Sequence, residues 1–105
     1  MTLNEGGWNG SQILSKETVP LMSMNYVGEL LGPARGFGLG FGMILDAQTR
    51  PDPGSIGQLY WGGYFRTHFF IDPALDLIAI FMTQKLPHGD DYAIVLNQYV
   101  YASLE

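Results

Sequence analysis

Residues 60–84 read YWGGYFRTHFFIDPALDLIAIFMTQ, and the architecture follows from where this run breaks. Gly62-Gly63 and Asp72-Pro73-Ala74-Leu75-Asp76 interrupt it, because paired glycines and an Asp-Pro step favour turns over extended chain. With the apolar residues just upstream, the two breaks leave strand candidates at 56–62, 64–71 and 77–83. Connections this short cannot carry a crossover, so the three strands form an antiparallel meander. The middle strand alternates, with Arg66, His68 and Phe70 on one face and Thr67, Phe69 and Ile71 on the other. The last run, LIAIFMT, is apolar without alternation, which predicts an inner strand covered on both faces.

Upstream, residues 46–57 (DAQTRPDPGSIG) are turn chemistry throughout, an exposed loop. Before them, residues 36–43 read GFGLGFGM, with Phe37, Leu39, Phe41 and Met43 at period two and glycine between. This predicts one strand whose bare face lets another element come very close. A dinucleotide-binding loop needs G-x-G-x-x-G between strand and helix, and Phe41 or Met43 falls where the third glycine belongs. Ser15-Lys16-Glu17-Thr18 looks like a helix start, with Ser15 as N-cap, Glu17 in the first turn and apolar Val19 and Met22 following, so a short helix is expected near 15–25, with Pro20 awkward inside it. Residues 1–14 carry too few regularly spaced apolar positions for an element and read as loop.

Downstream, Pro87-His88-Gly89 breaks the chain, and Asp90 and Asp91 offer a cap and first-turn negative charge. Tyr92, Val95, Leu96, Tyr99 and Val100 then recur at helical spacing, predicting an amphipathic helix through to Leu104. The final Leu104-Glu105 is compatible with a cloning remnant. The expected fold is α+β: an antiparallel sheet of about four strands, with a short N-terminal helix and the C-terminal helix packed on it. The 105 residues suit a single domain.

Composition narrows the function. Charged residues make up only 14% against a usual quarter, less polar surface than a free-standing domain of this size normally shows, which points to contact with another chain or segment. Lys16, Arg35, Arg50, Arg66 and Lys85 are scattered in a chain of formal net charge −5, so there is no footprint for nucleic acid. No run approaches the roughly 18 apolar residues of a membrane span, and without cysteine there is no disulfide, thiolate metal site or thiol nucleophile.

The chemistry-bearing residues do not assemble into a catalytic set. His68 and His88 lie twenty residues apart without acidic residues at ligand spacing, so no metal site is expected, and His68 reads as a hydrogen-bonded strand residue. Ser11, Ser15, Ser23, Ser55 and Ser103 lie in no nucleophile-elbow context, and no Ser-x-x-Lys pair occurs. Asp72/Asp76 and Asp90/Asp91 are explained by a turn and a helix start. Tyr60-Trp61-Gly62-Gly63-Tyr64 remains, an aromatic strand end with two glycines where backbone is accessible to a ligand, a strand or a helix.

Taken in order, residues 14–19 with Leu21-Met22, Gly38-Leu39-Gly40-Phe41, Trp61-Gly62-Gly63, residues 69–73, residues 77–84 and the C-terminal helix resemble the C-terminal portion of the serine β-lactamase, penicillin-binding protein and esterase family. That resemblance implies a partial β-lactamase-like α+β lobe, and a chain that is the C-terminal part of a larger serine hydrolase. Of the family's three motifs, Ser-x-x-Lys, Tyr-x-Asn and Lys-Thr-Gly or its His/Trp-x-Gly variants, only the third has a counterpart. It implies Trp61, Gly62 and Gly63 as the substrate-binding third motif and the backbone N–H of Tyr64 as one oxyanion-hole donor, with no catalytic residue in this chain and no cofactor. A lysine at the motif can meet a β-lactam carboxylate and Trp61 cannot, which shifts the expected chemistry toward ester or amide hydrolysis or acyl transfer. Small-molecule ester, amide or β-lactam substrates are then expected only for the intact parent, and the missing N-terminal strands would leave an open sheet edge prone to self-association. The rival reading is a stand-alone binding module that uses the Trp61 region and that open edge.

Overall fold

The computed structural model describes residues 1–50, 53–86 and 91–104. Pro51, Pro87, His88, Gly89, Asp90 and Glu105, each used in the sequence reading, lie outside the described residues. Strands β1 (Gly7–Trp8) and β2 (Ser11–Gln12) form a small hairpin, followed by helix α1 (Thr18–Met22). Then come β3 (Arg35–Phe37), β4 (Gly42–Ile44), β5 (Leu59–Gly62), β6 (His68–Asp72), β7 (Leu77–Phe81) and helix α2 (Tyr92–Ala102). The last five strands make one antiparallel sheet in sequence order, β3-β4-β5-β6-β7. The fold is α+β, as expected, with the meander in place.

The sheet has five strands because residues 36–43 fold back on themselves. Gly36 pairs with Met43 and Phe37 with Gly42, and the turn closes through the Gly38 N–H donating to the Phe41 carbonyl at 2.8 Å. Gly40, at φ +109°, supplies the conformation that a side chain would resist. The bare-face reading holds within the hairpin. A methyl on Gly38 would lie 2.1 Å from the Met22 carbonyl oxygen, and one on Gly36 would lie 2.7 Å from the Asn25 side chain. The chain leaving α1 therefore presses directly on the hairpin, and Asn25 Oδ1 accepts the N–H groups of Phe37 and Val27 at 3.2 Å each.

Residues 1–14 are not all loop. Asn9 and Gly10, both at positive φ, turn β1 into β2, the left-handed pair that a two-residue hairpin demands. The helix expected near 15–25 shortens to Thr18–Met22 and includes Pro20. Ser15 Oγ accepts the Thr18 N–H at 3.3 Å, in the turn before the helix, whose own N-cap, Glu17, makes no side-chain capping bond. The connection between β5 and β6 is longer than a Gly-Gly turn. It spans residues 63–67 and passes Arg66 at φ +72°, so Arg66 and Thr67 belong to the turn and not to the strand.

Register sorts the sheet into two faces. Met43, Leu59 and Ile71 form the buried cluster on one, with Leu3, Phe41, Leu45 and Phe69 packed against it. Phe70, fully buried, lies on the other face and stacks on Tyr101 of α2 at 5.6 Å. β7, expected to be covered on both faces, is an edge strand with one face open: Ile78 and Ile80 are exposed, Ile80 at 67%. α2 also sits differently on the sheet from its apolar stripe. Asp91 caps it, accepting the Ile94 N–H at 3.3 Å, but Val95 and Tyr99 are exposed, Tyr99 at 76%, while Asn97 is buried. The helix is rotated because polar groups beneath it need Asn97 and Tyr101 as partners.

Candidate functional site

Trp61 and Gly62 end β5, and Gly63 and Tyr64 open the turn that follows. The ladder from β4 reaches only Tyr60, opposite Gly42, whereas the ladder from β6 runs on to Gly62, opposite His68. The last two residues of β5 thus overhang β4. Trp61 is half exposed at 49%, and its ring meets Phe37 edge-on at 5.1 Å. The exposed Tyr64 ring packs edge-on against Phe65 at 5.4 Å.

The two glycines have a local structural reason. The Gly63 N–H donates to the Thr67 carbonyl at 2.8 Å and the Arg66 N–H donates back to the Gly63 carbonyl at 3.1 Å, closing the turn. A methyl on Gly63 would lie 2.2 Å from Thr67 Oγ1, and one on Gly62 would lie 3.2 Å from the Thr67 carbonyl. The strand end stays narrow and bare, so a ligand can approach its main chain closely.

His68 lies on the opposite face from Trp61, 6.3 Å from the Tyr60 ring. With Arg35, Arg50, Asp91 and Asn97 it borders a cavity of about 350 Å³ between the sheet and the start of α2. The Arg50 guanidinium sits over the Tyr60 ring at 5.7 Å. Among the described residues no three His, Asp or Glu side chains converge, and no helix is long and apolar enough to cross a membrane. Three serine hydroxyls are engaged locally, Ser15 with Thr18, Ser23 with the Val19 carbonyl and Ser103 with the Val100 carbonyl, and a fourth, Ser55, reaches Asp72 across the fold. The Lys16 ammonium pairs with Glu5 at 2.8 Å.

One polar cluster escaped the sequence reading. Asp72 does shape its turn, accepting the Ala74 N–H at 3.0 Å, but its carboxylate is also fully buried. It accepts the Ser55 hydroxyl at 2.6 Å and the Tyr101 hydroxyl. Gln58, equally buried, donates its amide to the Tyr101 oxygen at 3.0 Å, and Asn97 donates to the Pro53 carbonyl at 3.3 Å. Burial, reinforced by the Asp72 carboxylate, pushes the Tyr101 hydroxyl up to about 12. The available signal was Asn97 and Tyr101 at i, i+4 on one side of a helix whose polar residues are otherwise few.

Comparison with known proteins adds kinship to this geometry. No family model matches the chain. Protein Rv1367c of Mycobacterium tuberculosis is 33% identical over 100 residues, which cover 83% of this chain and 25% of that protein. Esterase EstB of Burkholderia gladioli is 33% identical over 76 residues, 70% of this chain and 19% of the esterase. Among solved structures, EstCE1, a hydrolase with promiscuous acyltransferase activity, superposes with a TM-score of 0.78 and 31% identity over 95% of this chain and 27% of its own. Simvastatin synthase (LovD) of Aspergillus terreus shares the fold at a TM-score of 0.72 and 23% identity, over 97% of this chain and 31% of its own. The chain thus spans about a quarter of the length of the first of these curated relatives.

Proposed function

The chain is related to the β-lactamase-like serine hydrolases, and on that premise we propose that it is the C-terminal part of a larger member, supplying one wall of the catalytic cleft and not the nucleophile. Acyl transfer through a serine requires an activated hydroxyl beside a base, and a pair of donors aimed at the developing oxyanion. In this reading Trp61, Gly62 and Gly63 line the cleft and the Tyr64 N–H is one donor. The second donor, the nucleophile and its lysine belong to the remaining polypeptide. The observation that carries the proposal is the overhang of β5 past β4, since it leaves the third-motif strand end open on the side away from β6.

Trp61 stands where a lysine could hold a substrate carboxylate, so the chemistry is hydrolysis or acyl transfer of small-molecule esters or amides. By itself the chain is inert. The test is labelling of the purified chain with a fluorophosphonate, read by intact mass, beside turnover of p-nitrophenyl acetate and a chromogenic β-lactam. We expect no adduct and no turnover from the chain, and a single adduct from a longer protein that includes a Ser-x-x-Lys segment. A stoichiometric adduct on the 105-residue chain would overturn the reading. The exposure of Trp61, Ile78 and Ile80 also suits a self-sufficient binding module, which saturable capture of one partner class at fixed stoichiometry would favour.

A further inference from the structure

Beside the overhanging strand end lies a groove to which acyl-transfer chemistry alone gives no role. Val27, Leu30 and Leu31 line it on one side and Phe37, Tyr60 and Trp61 on the other, together with Arg35, around about 470 Å³. The leucine wall is a double turn: the Leu30 N–H donates to the Val27 carbonyl at 3.2 Å and the Gly32 N–H to the Glu29 carbonyl at 2.9 Å. Gly28 and Gly32 hold it at φ +57° and +82°. Turn tips are ordinarily polar because they face water. Here the backbone holds two adjacent leucines outward, Leu30 at 84% exposure. The opposite wall is set by the Phe37–Trp61 ring contact, and Trp61 is also part of the strand end that borders the proposed cleft, so the groove is continuous with it.

We infer that this groove receives the hydrocarbon acyl chain of a medium-length ester, and that Leu30, Leu31 and Trp61 set the preferred chain length. The inference rests on the hydrolase reading above. Size suits a small molecule: at about 470 Å³ the groove falls within the roughly 300–1,000 Å³ of small-ligand pockets, and since an apolar cavity of about 150 Å³ already holds benzene, a chain of roughly six to eight carbons fits with room to spare. Chemistry argues for hydrocarbon, since Arg35 is the one charged group on its lining.

The test is titration of the isotope-labelled chain with octanoate, hexanoate and acetate, following the Trp61 indole and the amides of residues 27–31 by NMR. Octanoate should give saturable shifts confined to the groove. Hexanoate should bind about tenfold more weakly, at roughly three- to fourfold per methylene removed from water, and acetate should give none. Leu31→Asn should weaken octanoate about tenfold. Leu30→Asn, on a side chain already in solvent, should also weaken it and guards against an unfolded variant. Unsaturable shifts, shifts centred on Ile78, Ile80 and Met82, or an equal response to acetate would overturn the inference. Octanoate binding here with no fluorophosphonate adduct on the longer protein would sink the hydrolase reading and leave the groove. An adduct without octanoate binding would do the reverse.

Discussion

Replacing Tyr101 with phenylalanine removes one oxygen from the centre of the polar cluster beneath α2. The ring keeps its stack on Phe70 at 5.6 Å, so the loss is confined to the hydroxyl. Two bonds go at once: the donation to Asp72 and the acceptance of the Gln58 amide. Asp72 and Gln58 are both fully buried, so neither can turn to water. A hydrogen bond to a charged group contributes about 1.5–3 kcal/mol, and an orphaned buried donor costs about 1–3 kcal/mol. Partial relaxation brings the expected net loss to about 2–4 kcal/mol, or roughly a 10–20 °C fall in Tm for a chain of this size. Ser55→Ala removes a donor from the same carboxylate without stranding Gln58 and should cost less, about 1–2 kcal/mol. Urea unfolding followed by near-UV circular dichroism measures both. A Tyr101→Phe loss under about 0.5 kcal/mol, or one smaller than that of Ser55→Ala, would refute the account of how α2 is held. The hydroxyl also predicts an alkaline arm. Its folded value of about 12 lies above the ordinary 10, so its contribution is complete below pH 10 and is lost as pH rises from 10 to 12. With a phenol only partly buried, the wild type should lose on the order of 1 kcal/mol more than Tyr101→Phe across that interval.

Two further perturbations test other parts of the fold. Gly38→Ala drives a methyl to within 2.1 Å of the Met22 carbonyl and should cost about 1–3 kcal/mol in thermal or urea unfolding; an unchanged midpoint would show that the chain after α1 does not press on the hairpin. Ile80, exposed on the edge strand β7, tests self-association: sedimentation velocity should show concentration-dependent species for the wild type and a monomer for Ile80→Lys, since a charge on an edge blocks pairing. A wild type that stays monomeric at high concentration would remove the open edge as a self-pairing surface.

The meander was readable because its breaks are chemically explicit: Gly62-Gly63 and Asp72-Pro73 cannot continue a strand. The glycine run was misread as one strand because strict alternation fits two short strands around a turn as well as one long strand, and only Gly40 at φ +109° separates the two. The apolar run of β7 predicted two covered faces that this chain does not provide, which fits the proposal that its sequence answers to a larger protein. α2 was found by its period but not oriented by it, because the partners that orient it, Ser55, Gln58 and Asp72, are polar residues far along the chain. At the candidate site, the Trp-Gly-Gly stretch was visible through resemblance. The contact that crowds Gly63, with Thr67 Oγ1, depends on a turn whose length local sequence does not define.

The strand order β3-β4-β5-β6-β7 means that every rung of the main sheet joins neighbours along the chain. Such a sheet can assemble one hairpin at a time, closing only short loops, and local contacts of this kind favour rapid folding. The helix is the exception, because its bonds from Tyr101 reach back 29 residues to Asp72 and 43 to Gln58. Docking α2 therefore closes far longer loops than any strand pairing does, and the buried carboxylate has its Tyr101 partner only once the helix is in place.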